Sequence, residues 1–240
     1  MRDLTQQVAV VTGASGGIGG AVARRLAERG VRLSLWGRDD RRLEELAAAC
    51  RESAPEVWIE ALELTDDAAV EAAADRTVAT LGGVDLLIHS AGAFHLGTVG
   101  DSGVGELDHV YRVNVRAPYL LTQRLLPTIA QRQGQIVFVN STAGVRPRGG
   151  VGPYAASKAA LKALADALRD EVNPDGVRVI SVYPGRTATA MQQEVRRLEG
   201  LPYEPESYMQ ASDVAGSILH ALTLPETAEL TEVFLRPMAG

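Results

Sequence analysis

Ser141, Tyr154 and Lys158 stand within one stretch, NSTAGVRPRGGVGPYAASK, running from Asn140 to Lys158. Tyr154 and Lys158 open an Ala-rich run at i and i+4, the spacing that places two side chains on one face of a helix. A free tyrosine, with a pKa of about 10, is a poor acid or base at neutral pH. An ammonium roughly 4 Å away interacts with a phenolate by about 4 kcal/mol at an effective dielectric near 20, enough to lower the phenol by up to about 3 pH units. Pro153 suits a first helical turn, and the positive end of the helix dipole at Tyr154 also favours phenolate. The chemistry implied is acid/base catalysis by a tyrosine. A Y-x-x-x-K pair alone occurs by chance on many amphipathic helices, so its weight depends on the rest of the chain.

A second group of residues is built for an anion. The β-branched run QVAVV leads directly into TGASGGIGGAVARRLAERG, with Gly13, Gly17 and Gly19 in the turn and Ile18, Val22 and Leu26 on one helical face. A glycine turn lets backbone approach a ligand, and the following helix N-terminus offers N–H donors and a positive dipole end to phosphate. Strand, glycine turn and helix in that order point to a dinucleotide site; a turn that merely connects strand to helix is the plainer reading. After the second predicted strand, VRLSLW, comes Arg38 where an acidic residue would select a ribose 2′-hydroxyl. Its planar cation suits a 2′-phosphate and can also stack on adenine, so NADP is expected over NAD. In the plainer alternative Arg38 belongs to a solvated charged run, RDDRRLEE.

The elements that position these groups follow from periodicity. Predicted strands fall at QVAVV, VRLSLW, Glu56 to Leu62, VDLLIH, GQIVFVN, VRVISVY and LTEVFLRP. Helices fill the intervals, capped by Asp39 or Asp40, by Thr65 or Asp66, and by Ser212 or Asp213. Residues 106–131 read as helix with a break before Pro118, and Asn114 sits inside it with poor helix propensity. The long Tyr154 helix is expected over 153–173. Seven strands with intervening helices predict a doubly wound parallel α/β sheet of the Rossmann type, one domain over 1–240, with a short substrate flap at about 188–209. Ser141 then falls at a strand's C-terminal end, where open parallel sheets bind ligands. Ala91 and Gly92 after the fourth strand either let a cofactor approach the backbone or simply form a turn. His95 reads as an exposed loop histidine. Arg146 and Arg148 could attract an acidic substrate or keep a loop soluble.

Composition narrows the function classes. Net charge is −6 with both signs interspersed, so nucleic acid is not an expected partner. No apolar run is long enough to span a bilayer, and the N-terminal residues lack signal-peptide architecture. Cys50 is the only cysteine, which leaves no intrachain disulfide and no cysteine metal site; a reducing cytoplasm is expected and no metal is.

With these motifs in order, the chain resembles the short-chain dehydrogenase/reductase family over nearly its whole length. TGASGGIG, with Gly13, Ser15, Gly17, Ile18 and Gly19, looks like that family's TGxxxGxG turn. Ala91 and Gly92 occupy its NNAG place, although His89 and Ser90 replace the asparagines. Glu63 and Leu64 replace an Asp-Val pair near the adenine, and Pro184, Gly185, Thr187 and Thr189 match the nicotinamide-side segment. Asn114, Ser141, Tyr154 and Lys158 match the family's catalytic four. The resemblance implies NADP-dependent hydride transfer to or from a carbonyl or alcohol carbon of a small molecule. In it Tyr154 is acid/base, Ser141 orients the substrate oxygen, and Lys158 lowers the tyrosine pKa and binds the nicotinamide ribose. Asn114 holds a water that reprotonates Lys158. The resemblance also implies a homodimer or homotetramer through the Ala-rich helix. A non-enzymatic NADP-binding regulator, or an epimerase or dehydratase on the same fold, is the alternative.

Overall fold

Strand β1 (Val8–Thr12) is buried along its whole length, because both faces of the sheet around it are covered. Further strands are β2 (Arg32–Gly37), β3 (Val57–Ala61), β4 (Leu86–His89), β5 (Gln135–Val139), β6 (Arg178–Pro184), β7 (Thr187–Ala188), β8 (Met209–Gln210) and β9 (Glu232–Leu235). Seven of them form one parallel sheet in the order β3-β2-β1-β4-β5-β6-β9, as expected; β7 and β8 form a separate two-residue parallel pair. The computed structural model describes residues 2–238; Met1, Ala239 and Gly240, at the ends of the expected 1–240 domain, lie outside the described residues.

Alternation along β1 sorts the core into two layers. Ala9 and Val11 pack with Val22 and Leu26 of α1 (Gly17–Ala27) and with Val214 and Ile218 of α8 (Ala211–Leu222). Val8 and Val10 pack on the other face with Val70 of α3 (Asp67–Leu81), Leu121 and Leu125 of α5 (Ala117–Gln131) and Leu161 of α6 (Gly152–Val172). Each fully buried aliphatic side chain contributes about 1.5–3 kcal/mol, so both layers anchor the sheet under the site. Helix α2 (Asp40–Cys50) closes the first layer at β2, and Asp39 caps it by accepting from the Arg42 N–H. No helix among the described residues is long and apolar enough to cross a membrane.

Three expectations are corrected. The chain does not break before Pro118: α4 (Val104–Tyr111) continues through a π-helical turn, Arg112–Arg116, into α5. Here the Ala117 N–H bonds to the Arg112 carbonyl, five residues back, a widened turn next to the proline ring that would otherwise meet the carbonyl four residues before it. The cap of α8 is Gln210 rather than Ser212 or Asp213; Asp213 instead reaches back to the Gln210 N–H at 2.8 Å in a capping box. His95 is half-buried rather than exposed, with Nε2 3.0 Å from the Ser102 hydroxyl. Within 188–209 lies α7 (Ala190–Leu198), whose flanks are tied together by β7 and β8.

Candidate active site

Between β1 and β4 the strand order reverses, and a cleft of about 1790 Å³ opens along the C-terminal ends of the strands. It exceeds the roughly 300–1,000 Å³ of an ordinary ligand pocket, leaving room for an extended cofactor together with a substrate. The predicted residues Gly13, Ser15, Gly17, Ile18, Arg38, Glu63, Leu64, Ala91, Gly92, Ser141, Tyr154, Lys158, Pro184, Gly185, Thr187 and Thr189 all line it. Gly19 and Asn114 do not; both act from behind the wall.

The glycine turn is a cradle that side chains would fill. Gly13 has φ +67, and a Cβ on it would lie 2.8 Å from the Ala91 backbone. A Cβ on Gly19 would lie 2.5 Å from the Gly13 carbonyl oxygen. Thr12 joins the two strand ends, its Oγ1 accepting from the N–H groups of Ser90 at 3.1 Å and Ala91 at 3.2 Å. Helix α1 has no side-chain cap and no acidic residue in its first turn, so its N–H groups remain available to an anion. The start of α7 faces the same place, since a Cβ on Gly17 would meet Thr189 Cγ2 at 3.2 Å. Thr189 caps α7 by accepting from the Gln192 N–H at 3.2 Å, and Thr187 donates to the Gly185 carbonyl. The donor set, the glycine approach and the converging helix starts fit a dinucleotide. At its far end Arg38 is 73 % exposed and pairs loosely with Glu63 at 3.7 Å. Arg42, in the first turn of α2, lines the cleft too, although the run RDDRRLEE reads in the sequence as a solvated face.

Three contacts beyond the predicted four fix the reacting end. Asn140 at the end of β5 accepts from the Ser141 N–H at 2.8 Å and donates to the Lys158 carbonyl at 3.1 Å, locking the Ser141 strand end to α6. Ser157 donates to the Tyr154 carbonyl at 2.7 Å and accepts from Asn114 Nδ2 at 2.9 Å. Phe94 meets the Tyr154 ring edge-on, centroids 4.9 Å apart. The Asn114 amide also accepts from the Ala93 N–H at 2.8 Å and donates to the Ala93 carbonyl at 2.9 Å. Its carboxamide thereby ties the loop after β4 to the start of α6. Ser157 was legible only as the residue before Lys158, and nothing in its spacing marked it.

Electrostatics depart from expectation. Burial pushes the Tyr154 phenol up, and the Ser141 hydroxyl beside it pulls only partly the other way. The expected lowering by Lys158 is not found; desolvation, which penalises the charged form, is the larger influence on the phenol. The same desolvation brings Lys158 down to about 8, and its Nζ donates to the Val139 carbonyl at 3.1 Å. At neutral pH Tyr154 thus keeps its proton and Lys158 is largely an ammonium, the state in which the phenol can give up a proton to an alkoxide. His89 does not face the cleft: it is buried, stacked on Phe138 at 4.9 Å, with Nε2 2.8 Å from the Thr122 hydroxyl. Ser90 does line the cleft.

Comparison with known proteins places this geometry among relatives. The family described as short chain dehydrogenase matches residues 7–200. An uncharacterized oxidoreductase of Staphylococcus epidermidis is 30% identical over 239 residues, 99% of this chain and 100% of the relative. An alcohol dehydrogenase from the archaeon Thermococcus sibiricus, solved with 5-hydroxy-NADP, is 27% identical, with 98% of each chain covered and a TM-score of 0.89. A metagenomic short-chain oxidoreductase in complex with NADP is 30% identical over 100% of both chains, with a TM-score of 0.86.

Proposed function

This chain belongs to the short-chain dehydrogenase/reductase family and is an NAD(P)-dependent oxidoreductase; from that premise we propose that it reduces a carbonyl of a small molecule with NADPH, using Tyr154 as the acid. The observation that carries this reading is the cleft that Ser141, Tyr154 and Lys158 line together with the glycine turn, the Tyr154 phenol lying next to the Ser141 hydroxyl.

A bound nicotinamide supplies the hydride in this chemistry. The residues of the chain handle the oxygen. As the carbonyl oxygen gains charge, the Tyr154 hydroxyl transfers its proton to that oxygen, giving the alcohol and a transient phenolate. Ser141 donates a hydrogen bond to the same oxygen and holds it within reach. The Lys158 ammonium, kept beside the tyrosine by α6 and by the Val139 carbonyl, stabilises the phenolate until solvent reprotonates it. Asn114 and Ser157 position the turn that carries Tyr154 rather than touching the substrate. Asn140 does the same for Ser141. On the cofactor, Gly13, Ser15, Gly17, Ile18 and Gly19 with the α1 start suit the pyrophosphate. Thr187, Thr189, Pro184 and Gly185 would stand at the nicotinamide end, with Lys158 at its ribose. Arg38, supported by Arg42, would take the 2′-phosphate and favour NADP; Glu63 and Leu64 would flank the adenine.

The test is a titration followed by a turnover panel. NADPH should bind more tightly than NADH, and the purified protein should oxidise NADPH with some member of a set of aldehydes, ketones and quinones. Tighter NADH binding removes the NADP assignment, and binding without turnover across the set removes the reductase reading.

Residues 1–240 act as one domain in this reading, with 188–209 as a flap over the substrate. Ala156, Ala159, Ala163 and Ala167 leave an exposed row of small side chains along α6, which supports a homodimer or homotetramer through that helix. Light scattering should give two or four times the chain mass of 25.5 kDa; a monomer mass would reject the assembly. A cytoplasmic location accords with a free, buried Cys50 thiol.

A further inference from the structure

The cleft has a charge opposite to that of the protein. The chain carries a net −6, yet the cleft is lined by eight cationic side chains and three carboxylates. The carboxylates are already engaged: Glu63 with Arg38, Glu194 with Arg197, and Glu199 with both Arg186 and Arg196. Arg38 and Arg42 stand at the adenosine end, where a cofactor phosphate accounts for them. Arg146 and Arg148 are not explained that way. Both belong to the loop between Ser141 and Tyr154, and neither makes an ion pair among the described residues. That loop is pinned at its far end, where the Gly97 N–H donates to the Gly150 carbonyl at 2.8 Å.

The same cleft also presents large apolar side chains. Met191 and Leu198 on α7 and Val145 on the arginine loop line the cleft while 40 %, 45 % and 38 % exposed. Large apolar side chains left open in a pocket gain by covering with an apolar body. An excess of one sign of charge in a cleft with low-dielectric walls concentrates ligands of the other sign. Arginine adds a planar fork that matches carboxylate and phosphate oxygens.

We propose that the substrate of this reductase is an anionic carbonyl compound, with an apolar body between the carbonyl and a carboxylate or phosphate that Arg146 and Arg148 read. The proposal rests on the reduction described above and names its substrate class. It assigns the two arginines as specificity determinants, distinct from the residues that move the proton.

The experiment compares three probes with one aromatic aldehyde body: 4-formylbenzoate, 4-formylphenyl phosphate and neutral methyl 4-formylbenzoate. With saturating NADPH, kcat/KM for at least one anionic probe should exceed that for the ester about tenfold or more, and the better anion identifies the end group. In the Arg146→Ala/Arg148→Ala double variant that ratio should fall to about threefold or less. An ester preferred or equal in the wild type, or a ratio unchanged in the double variant, overturns the assignment. Calorimetric titration of 4-(hydroxymethyl)benzoate and 4-(hydroxymethyl)phenyl phosphate into the NADP-loaded protein decides the matter without turnover. Binding that weakens at least about fivefold in the double variant supports the arginine site, and absent binding or equal binding in both proteins overturns it. If no probe is reduced but binding depends on the arginines, the anion site stands and the reductase reading is decided by the wider panel of aldehydes, ketones and quinones.

Discussion

Tyr154→Phe is expected to lower turnover at least about 10²-fold, the low end for general acid catalysis, while NADPH binding stays near the wild-type level. Phenylalanine keeps the ring that meets Phe94 edge-on and removes only the hydroxyl, so loss of fold does not explain a loss of rate. The pH dependence carries a second signature. Because burial raises the Tyr154 phenol, its proton is present throughout the neutral range and reduction needs no acidic medium. Lys158, lowered to about 8, loses its charge as pH climbs past that value, and with it the partner that stabilises the transient phenolate. Reduction should therefore hold level below about pH 8 and decline above it. The reverse oxidation, which needs the phenolate, should rise with pH. The Phe variant should have lost the rising limb of oxidation altogether. Stopped assays of both directions from pH 6 to 10 measure this, and near-normal turnover by the variant would refute the role given to Tyr154.

The parts of this molecule that were legible in the sequence are those set by local repetition. Alternation and β-branched runs located the seven strands, and the glycines located the turn: Gly13 and Gly19 let backbone approach backbone, and Gly17 holds a positive φ. The Ser141, Tyr154 and Lys158 spacing likewise placed all three in one cleft. What escaped depends on a neighbour that only folding supplies. The π turn at Arg112–Arg116 shifts the helical phase by a fraction of a turn over five residues, too short for a periodic signal, so Pro118 read as a stop. Ser157 and Asn140 work through bonds to Asn114 and Lys158 on other elements. The direction of the Tyr154 shift was misread because i, i+4 spacing fixes which charges are near but says nothing of how much water remains. Gln210 escaped as a cap because Asp213, three residues on, has the more familiar capping side chain and supplies the other half of the box.

His89 has the same kind of hidden consequence, and it yields the largest expected effect on stability. It stands where the family usually carries asparagine, yet it lies in the core, with Thr122 at its Nε2 and Phe138 against its ring. Burial first, and the Lys158 charge second, hold its pKa at about 3 against an ordinary 6.5. Between those two values the unfolded chain takes up a proton that the folded one refuses. Unfolding is thus favoured as pH falls through that window, and stability declines by about 1.4 kcal/mol per pH unit from this group alone. Over the whole window the loss approaches about 4–5 kcal/mol, a large part of the roughly 5–15 kcal/mol that stabilises a typical domain. His89→Asn removes the titration and leaves every other acidic group in place. The variant is expected to be less stable at pH 7, since a smaller side chain leaves a gap beside Phe138. Its stability should nevertheless fall more slowly than the wild type's between pH 6 and 4, so that the two curves converge and then cross. Urea unfolding of both proteins across that range gives the difference directly. Curves that run parallel would mean that the imidazole is charged in the folded core or reaches water there, and the account of its burial would have to be abandoned.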